Sequence, residues 1–198
     1  MKQVVVIHGG DSFDSDQDFA AALENWPVTI ESFLPHSDWK RNLESELGES
    51  YQVLQPQMPN KFDAHYRHWK IWFERMFPFL QDEVTLVGHS QGGLFLVKYL
   101  SENMFPKKIK GLFLVAPPHS ETPGVGDFKL SKPLNSIERV CENVHLYQSK
   151  DDLVVPYAAV EFYRKELPNV HAHIFEDRGH FNQETFPELL EEIRKIGM

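Results

Sequence analysis

Four features are scarce in this sequence. Cys141 is the only cysteine among 198 residues, so no intrachain disulfide can form, which suits a reducing compartment. Positive charge is short: 20 Lys and Arg stand against 29 Asp and Glu, a formal net charge of -9 at pH 7. General binders of nucleic acid or of anionic membranes need a basic face, so neither partner is expected. Long apolar runs are missing, and no stretch approaches the roughly 20 residues of a membrane span. The N-terminal Val4-Val5-Val6-Ile7 is too short for a signal-peptide core of roughly 7–15 residues, and no small-residue cleavage site follows it. A cytoplasmic protein is the expectation. Internal repeats and low-complexity tracts are likewise missing.

What remains is an ordinary globular composition, 41% hydrophobic and 25% charged, long enough for a sizeable core in one domain spanning 1–198. Val4 to Ile7, Val84 to Val87, Gly111 to Ala116, Val144 to Gln148 and Val170 to Phe175 are short apolar runs suited to strands buried on both faces, with a weaker strand at Tyr51 to Leu54. Helical spacing recurs at Asp63 to Leu80, Gly92 to Glu102, Pro156 to Leu167 and Phe186 to Ile196. The alternation predicts an α/β fold with a mostly parallel central sheet and helices on both faces. Two stretches break it. Residues 11–48 carry helix signals near Ala20 and from Trp39 to Leu47, and residues 117–139 begin rich in proline and glycine. Both follow strand ends, so both are expected to border a site.

Gly88-His89-Ser90-Gln91-Gly92 lies where a strand passes into a helix. It matches the G-x-S-x-G pattern that raises a serine on a strained turn, where a Cβ at either glycine would meet neighbouring backbone. Hydrolysis at a carbonyl needs a nucleophile, a base, a group orienting the base, and donors for the oxyanion. Ser90 is the nucleophile candidate and His180, in the loop Asp177-Arg178-Gly179-His180-Phe181, the base. Asp152 is preferred as the orienting acid because Asp152-Leu153-Val154-Val155-Pro156 reads as a strand-end acid before a helix, while Asp151 is expected to be a helix N-cap. The chain order Ser90, Asp152, His180 is the order this motif predicts. The backbone N–H groups of Gln91 and Gly10 are the oxyanion donors, with Asp11 an equally reachable alternative to Gly10.

Other candidates carry less. His89 adjoins Ser90, but consecutive side chains point apart, and His8 is expected to shape its loop. His171 and His173 share one strand face without an evident third metal ligand, so no metal site is assigned. Asp14 to Asp18 imitates the start of a calcium loop, yet Phe19 and Asn25 stand where glycine and glutamate belong; a solvated loop with a helix N-cap is the reading. Trp69, Trp72 and Phe73 are expected in the core, some of them lining an acyl pocket with Phe13 and part of 117–128. An acidic surface and an apolar pocket together favour neutral or cationic substrates.

These residues make the chain resemble the α/β-hydrolase superfamily, and in more detail the small serine hydrolases of the retinoblastoma-binding-protein-9 type. The glycine turn after the first strand, Gly88 to Gly93, Asp152 and Gly179-His180-Phe181 carry the resemblance over nearly the whole chain. It implies an α/β-hydrolase fold with a minimal lid or none, Ser90, Asp152 and His180 in catalytic roles, and no metal or organic cofactor. It also implies hydrolysis of a small ester, thioester or amide through an acyl-enzyme. The long 11–48 stretch departs from that subgroup. Amide cleavage or acyl transfer by the same residues is the alternative, and a silent interaction module is another.

Overall fold

The computed structural model describes residues 1–35 and 37–197. Along the chain run β1 (Lys2–Ile7), α1 (Asp16–Asn25), α2 (Trp39–Leu47), β2 (Tyr51–Leu54), α3 (Tyr66–Glu74), β3 (Val84–His89) and α4 (Gln91–Glu102). The second half continues with β4 (Ile109–Val115), α5 (Ile137–Val140), β5 (Val144–Ser149), α6 (Ala159–Glu166), β6 (His171–Phe175) and α7 (Pro187–Ile196). The six strands form one sheet in the order β2-β1-β3-β4-β5-β6, and every neighbouring pair is parallel. The chain moves outward from β1 to β2 and then crosses back to β3, so the direction of winding reverses between β1 and β3. In open α/β sheets, ligands bind at such a reversal, beyond the carboxyl ends of the strands. Ile7 pairs with Gly88, which brings the turn after β1 level with Ser90.

β-branched and apolar runs produce the strands because both faces of the sheet are covered. Side chains alternate: Val5 and Ile7 pack with Trp69, Phe73, Leu94 and Phe95 on one side, and Val4 and Val6 with Trp39, Leu43, Leu189 and Ile193 on the other. α4 is buried along almost its whole length, from Gln91 to Ser101, so its sequence shows no polar stripe. Among the described residues no helix is long and apolar enough to cross a membrane.

Two helices differ from their expected limits by more than a residue. The helix expected over Asp63 to Leu80 stops at Glu74, and Pro78 falls in a separate 3-10 turn at Phe77–Phe79, because proline supplies no N–H to continue the ladder. Trp69 and Phe73 are fully buried as expected, whereas Trp72 is 44% exposed. The helix after Pro156 begins at Ala159, following a turn in which Ala159 N–H donates to the Pro156 carbonyl. Near Asp14 to Asp18, Ser15 caps α1 by accepting from Asp18 N–H, the role read from the sequence.

His145, His171 and His173 meet under α7. His145 is opposite His171 and Tyr147 opposite His173 in the β5–β6 register, which stacks the His145 ring on Phe113 at 4.6 Å and the His173 ring on Tyr147 at 4.4 Å. His145 Nδ1 and His173 Nε2 are 3.0 Å apart and share a hydrogen bond, so these nitrogens face each other. No group of three His, Cys, Asp or Glu among the described residues could hold a metal ion. Burial, followed by the charges of His173 and His171, pushes His145 down to about 4; Glu192 opposes this and Lys195 adds to it. The unfolded chain therefore binds the proton first as pH falls, and the stability contributed by neutral His145 is complete above about 6.5 and lost towards 4. The denaturation midpoint of the wild type should drop over that window, and His145→Phe should drop less steeply. Equal slopes for the two proteins would refute this assignment.

Candidate active site

Ser90 occupies the turn between β3 and α4 with φ 53° and ψ -126°, a left-handed backbone costing on the order of 1–3 kcal/mol for a residue with a Cβ. Its N–H donates to Val115 at 2.8 Å and its carbonyl accepts from Gly93 at 2.8 Å, so two neighbouring elements hold the strained residue in place. Gly92 lies against β1, where a Cβ would strike the carbonyls of Ile7 and His8. That close approach starts α4 beside the turn after β1.

Asp152 and His180 are joined: His180 Nδ1 lies 2.8 Å from Asp152 Oδ2. The Asp152 side chain is fully buried. Its Oδ1 accepts from Val154 N–H at 2.8 Å and Val155 N–H at 3.0 Å, and its Oδ2 also accepts from Gln148 Nε2 at 3.3 Å. Four donors offset the cost of taking a carboxylate out of water. With Nδ1–H directed at Asp152, the Nε2 lone pair of His180 is left to act as a base. Among the described residues no hydrogen bond joins Ser90 Oγ to His180, a contact that in unliganded enzymes often tightens only when substrate binds.

Asp151 corrects an expectation. It caps no helix, since α6 starts only at Ala159. Its Oδ1 accepts from Gly179 N–H at 2.8 Å and from Ser149 Oγ, tying the histidine loop to the end of β5. Gly179 takes φ 51° and Phe181 φ 54° on either side of His180. The Phe181 ring is buried against Phe175 and Phe186, which holds its unfavourable backbone.

The oxyanion candidates also separate. Asp11 N–H donates to the Lys61 carbonyl at 2.9 Å and so is engaged. The N–H groups of Gly10 and Gln91 meet no acceptor among the described residues. A Cβ at Gly9 would lie 3.6 Å from Ser90 Oγ, which puts this turn beside the serine. His8 shapes the turn, as expected: its Nε2 accepts from Met58 N–H at 2.8 Å while Nδ1 meets the Gly9 carbonyl. Burial lowers its pKa.

Two contributors were not identified from the sequence. His89 is buried, its Nε2–H donates to the His180 carbonyl at 2.8 Å, and its Nδ1 faces Lys40 Nζ at 3.4 Å. Burial, then the charges of Lys40 and His180, holds it well below the ordinary imidazole range, so it serves as a neutral post under the histidine loop. Trp39 clasps the same loop from α2: its indole Nε1–H donates to the Phe181 carbonyl at 2.8 Å and its backbone N–H to Gln183 at 2.8 Å. Adjacency to Ser90 for His89 and the position at the start of α2 for Trp39 were the available signals, and neither names a partner 91 or 142 residues away. Trp39→Phe keeps the ring and strands the Phe181 carbonyl, at a cost of about 1–3 kcal/mol. Hydrogen exchange should accelerate at residues 178–183 in this variant before it does so in the central sheet. Unchanged exchange in that loop would show that the clasp does not hold it.

Known structures share this architecture. The ydeN gene product from B. subtilis superimposes with a TM-score of 0.79 at 18% identity, over 100% of this chain and 99% of that one. A putative YdeN-like hydrolase from Pectobacterium atrosepticum gives 0.66 at 16% identity, over 98% and 90% of the two chains. The methylesterase MES16 from Arabidopsis gives 0.59 at 12% identity, with 98% of each chain covered. At such identities these likenesses show the shared α/β-hydrolase fold. No curated protein matches by sequence. The profile of the family described as serine hydrolase matches residues 34–195, a span that includes Ser90, Asp152 and His180, and the chain belongs to that family.

Proposed function

We propose that the protein is a carboxylesterase-like hydrolase of small esters or thioesters, with Ser90 as nucleophile, His180 as general base and acid, and Asp152 as the orienting carboxylate. The observation that carries this reading is the buried Asp152–His180 hydrogen bond on the same sheet edge as a serine in left-handed backbone. His180 Nε2 takes the Ser90 Oγ proton as Oγ attacks the carbonyl carbon, and Asp152 stabilises the imidazolium that forms. The developing oxyanion is received by the Gln91 N–H at the start of α4, where the helix dipole adds partial positive charge, and by the Gly10 N–H from the turn after β1. Proton transfer from His180 to the leaving oxygen or sulfur releases it, and water repeats the sequence on the acyl-enzyme.

Within the family, the small retinoblastoma-binding-protein-9 type is the proposed placement. The compactness of the described chain, in which the elements from β1 to α7 serve one six-stranded sheet, supports it. Ester chemistry draws further support from the shared fold of the Arabidopsis methylesterase. A cytoplasmic setting is part of the proposal, and the lone cysteine fits it: Cys141 is buried, with its thiol pushed up to about 11 by desolvation.

A fluorophosphonate probe should add one adduct mass to the wild type and none to Ser90→Ala. Ser90→Ala should lower kcat on an activated ester by roughly 10⁶-fold, and Asp152→Asn by about 10⁴-fold through loss of the productive tautomer. Labelling or undiminished turnover in Ser90→Ala would overturn the mechanism.

A further inference from the structure

Two clefts open at the irregular segments on the catalytic edge, and their charges differ. One, of about 300 Å³, lies between Ser12–Asp18 and the 120–129 segment, with Asp14, Asp18 and Glu121 facing Lys129. The other, of about 250 Å³, is lined by His8 and Gly9 from the turn after β1, Lys40 and Arg41 from α2, and Gln55 and Lys61 beyond β2. Gly9 also packs against Ser90, so this second cleft and the serine share the turn after β1 as a neighbour.

Its cations are only partly balanced. Asp38 also lines the cleft and pairs with Lys40 at 2.6 Å. Arg41 and Lys61 have no carboxylate partner among the described residues. In a chain with nine more acidic than basic side chains, two uncompensated cations give this cleft the opposite sign to the chain as a whole. Burial chiefly lowers the pKa of neighbouring His8, with Lys61 and Lys40 adding to it and Asp38 opposing them.

From this placement we infer that the cleft of Arg41, Lys61 and Gln55 receives a carboxylate on the substrate, so that the preferred esters are monoanions. The inference deepens the hydrolase reading and rests on it. A guanidinium fork and an ammonium match a carboxylate in charge, and Arg41 can meet both its oxygens. Held there, the carboxylate places the scissile carbonyl over Ser90. The selectivity is electrostatic and therefore weakens with salt. It departs from the expectation of neutral or cationic substrates, because net charge averages over the whole surface and a single cleft can carry the opposite sign.

The test compares kcat/KM for paired aryl esters of matched length. One pair differs in having methyl or carboxylate at the far end of the acyl chain; the other carries the same difference on the alcohol. At low ionic strength the wild type should prefer the anionic member of at least one pair by about tenfold or more. The preference should fall with added salt and approach unity in Arg41→Gln/Lys61→Gln. Because the readout is a ratio on one sample, a misfolded fraction cancels. Parity in both pairs with brisk hydrolysis would overturn the carboxylate site and leave the hydrolase reading standing, as would an undiminished ratio in the double variant. Failure to cleave any ester, together with no fluorophosphonate labelling of Ser90, would overturn both.

Discussion

Ser90 keeps a left-handed backbone at the meeting point of β1, β3, β4 and α4, and the carboxyl edge of the sheet is arranged around holding it there. The strain, on the order of 1–3 kcal/mol, is offset by hydrogen bonds to Val115 and Gly93 and by burial of the helix that follows. The geometry requires α4 to begin against the carbonyls of Ile7 and His8, which only a glycine at position 92 permits. Once α4 is seated, the register between β1 and β3 brings the Gly9-Gly10 turn beside the serine. The cleft of Arg41 and Lys61 opens from that same turn.

The histidine loop depends on a second set of constraints, drawn from far along the chain. Ser149 and Asp151 at the end of β5 bond to Arg178 and Gly179, while α2 and β3 reach the carbonyls beyond through Trp39 and His89. Each of these contacts pairs a backbone group of the loop with a side chain from β5, β3, α2 or the turn directly after β5. Precise placement of a base demands such support, because a loop carrying its own unsatisfied carbonyls would exchange them with water. Neutral His89 suits this supporting position, since a charged imidazole there would face both Lys40 and His180.

Much of the fold was legible in the residues. Short apolar runs marked five strands, Tyr51 to Leu54 marked the edge strand, and the 3.6 period marked α2, α4 and α7 close to their observed limits. The misreadings have local causes. Pro78 ends a period that the aromatics from Tyr66 to Met76 carry further in a one-dimensional pattern, and Trp72 lies beside that buried stripe, on the exposed side. Asp151 has the local pattern of a cap because an acid before a helix most commonly serves as one. Its true partner, Gly179, is 28 residues on, and no periodicity encodes it.

The sequence by itself determined the α/β class, the strained turn at Ser90 and which residues follow strand ends, because these depend on side-chain period and on glycine sterics within a few residues. Only the tertiary structure decided that Asp152 and His180 share a hydrogen bond, that Asp11 N–H is engaged while Gly10 N–H is not, and that α2 from the 11–48 stretch secures the histidine loop. It alone decided that Lys40, Arg41 and Lys61 face one cleft. Hydrogen bonds and electrostatic fields act through distances of a few ångströms, and separation along the chain carries no information about which distant groups the fold brings that close.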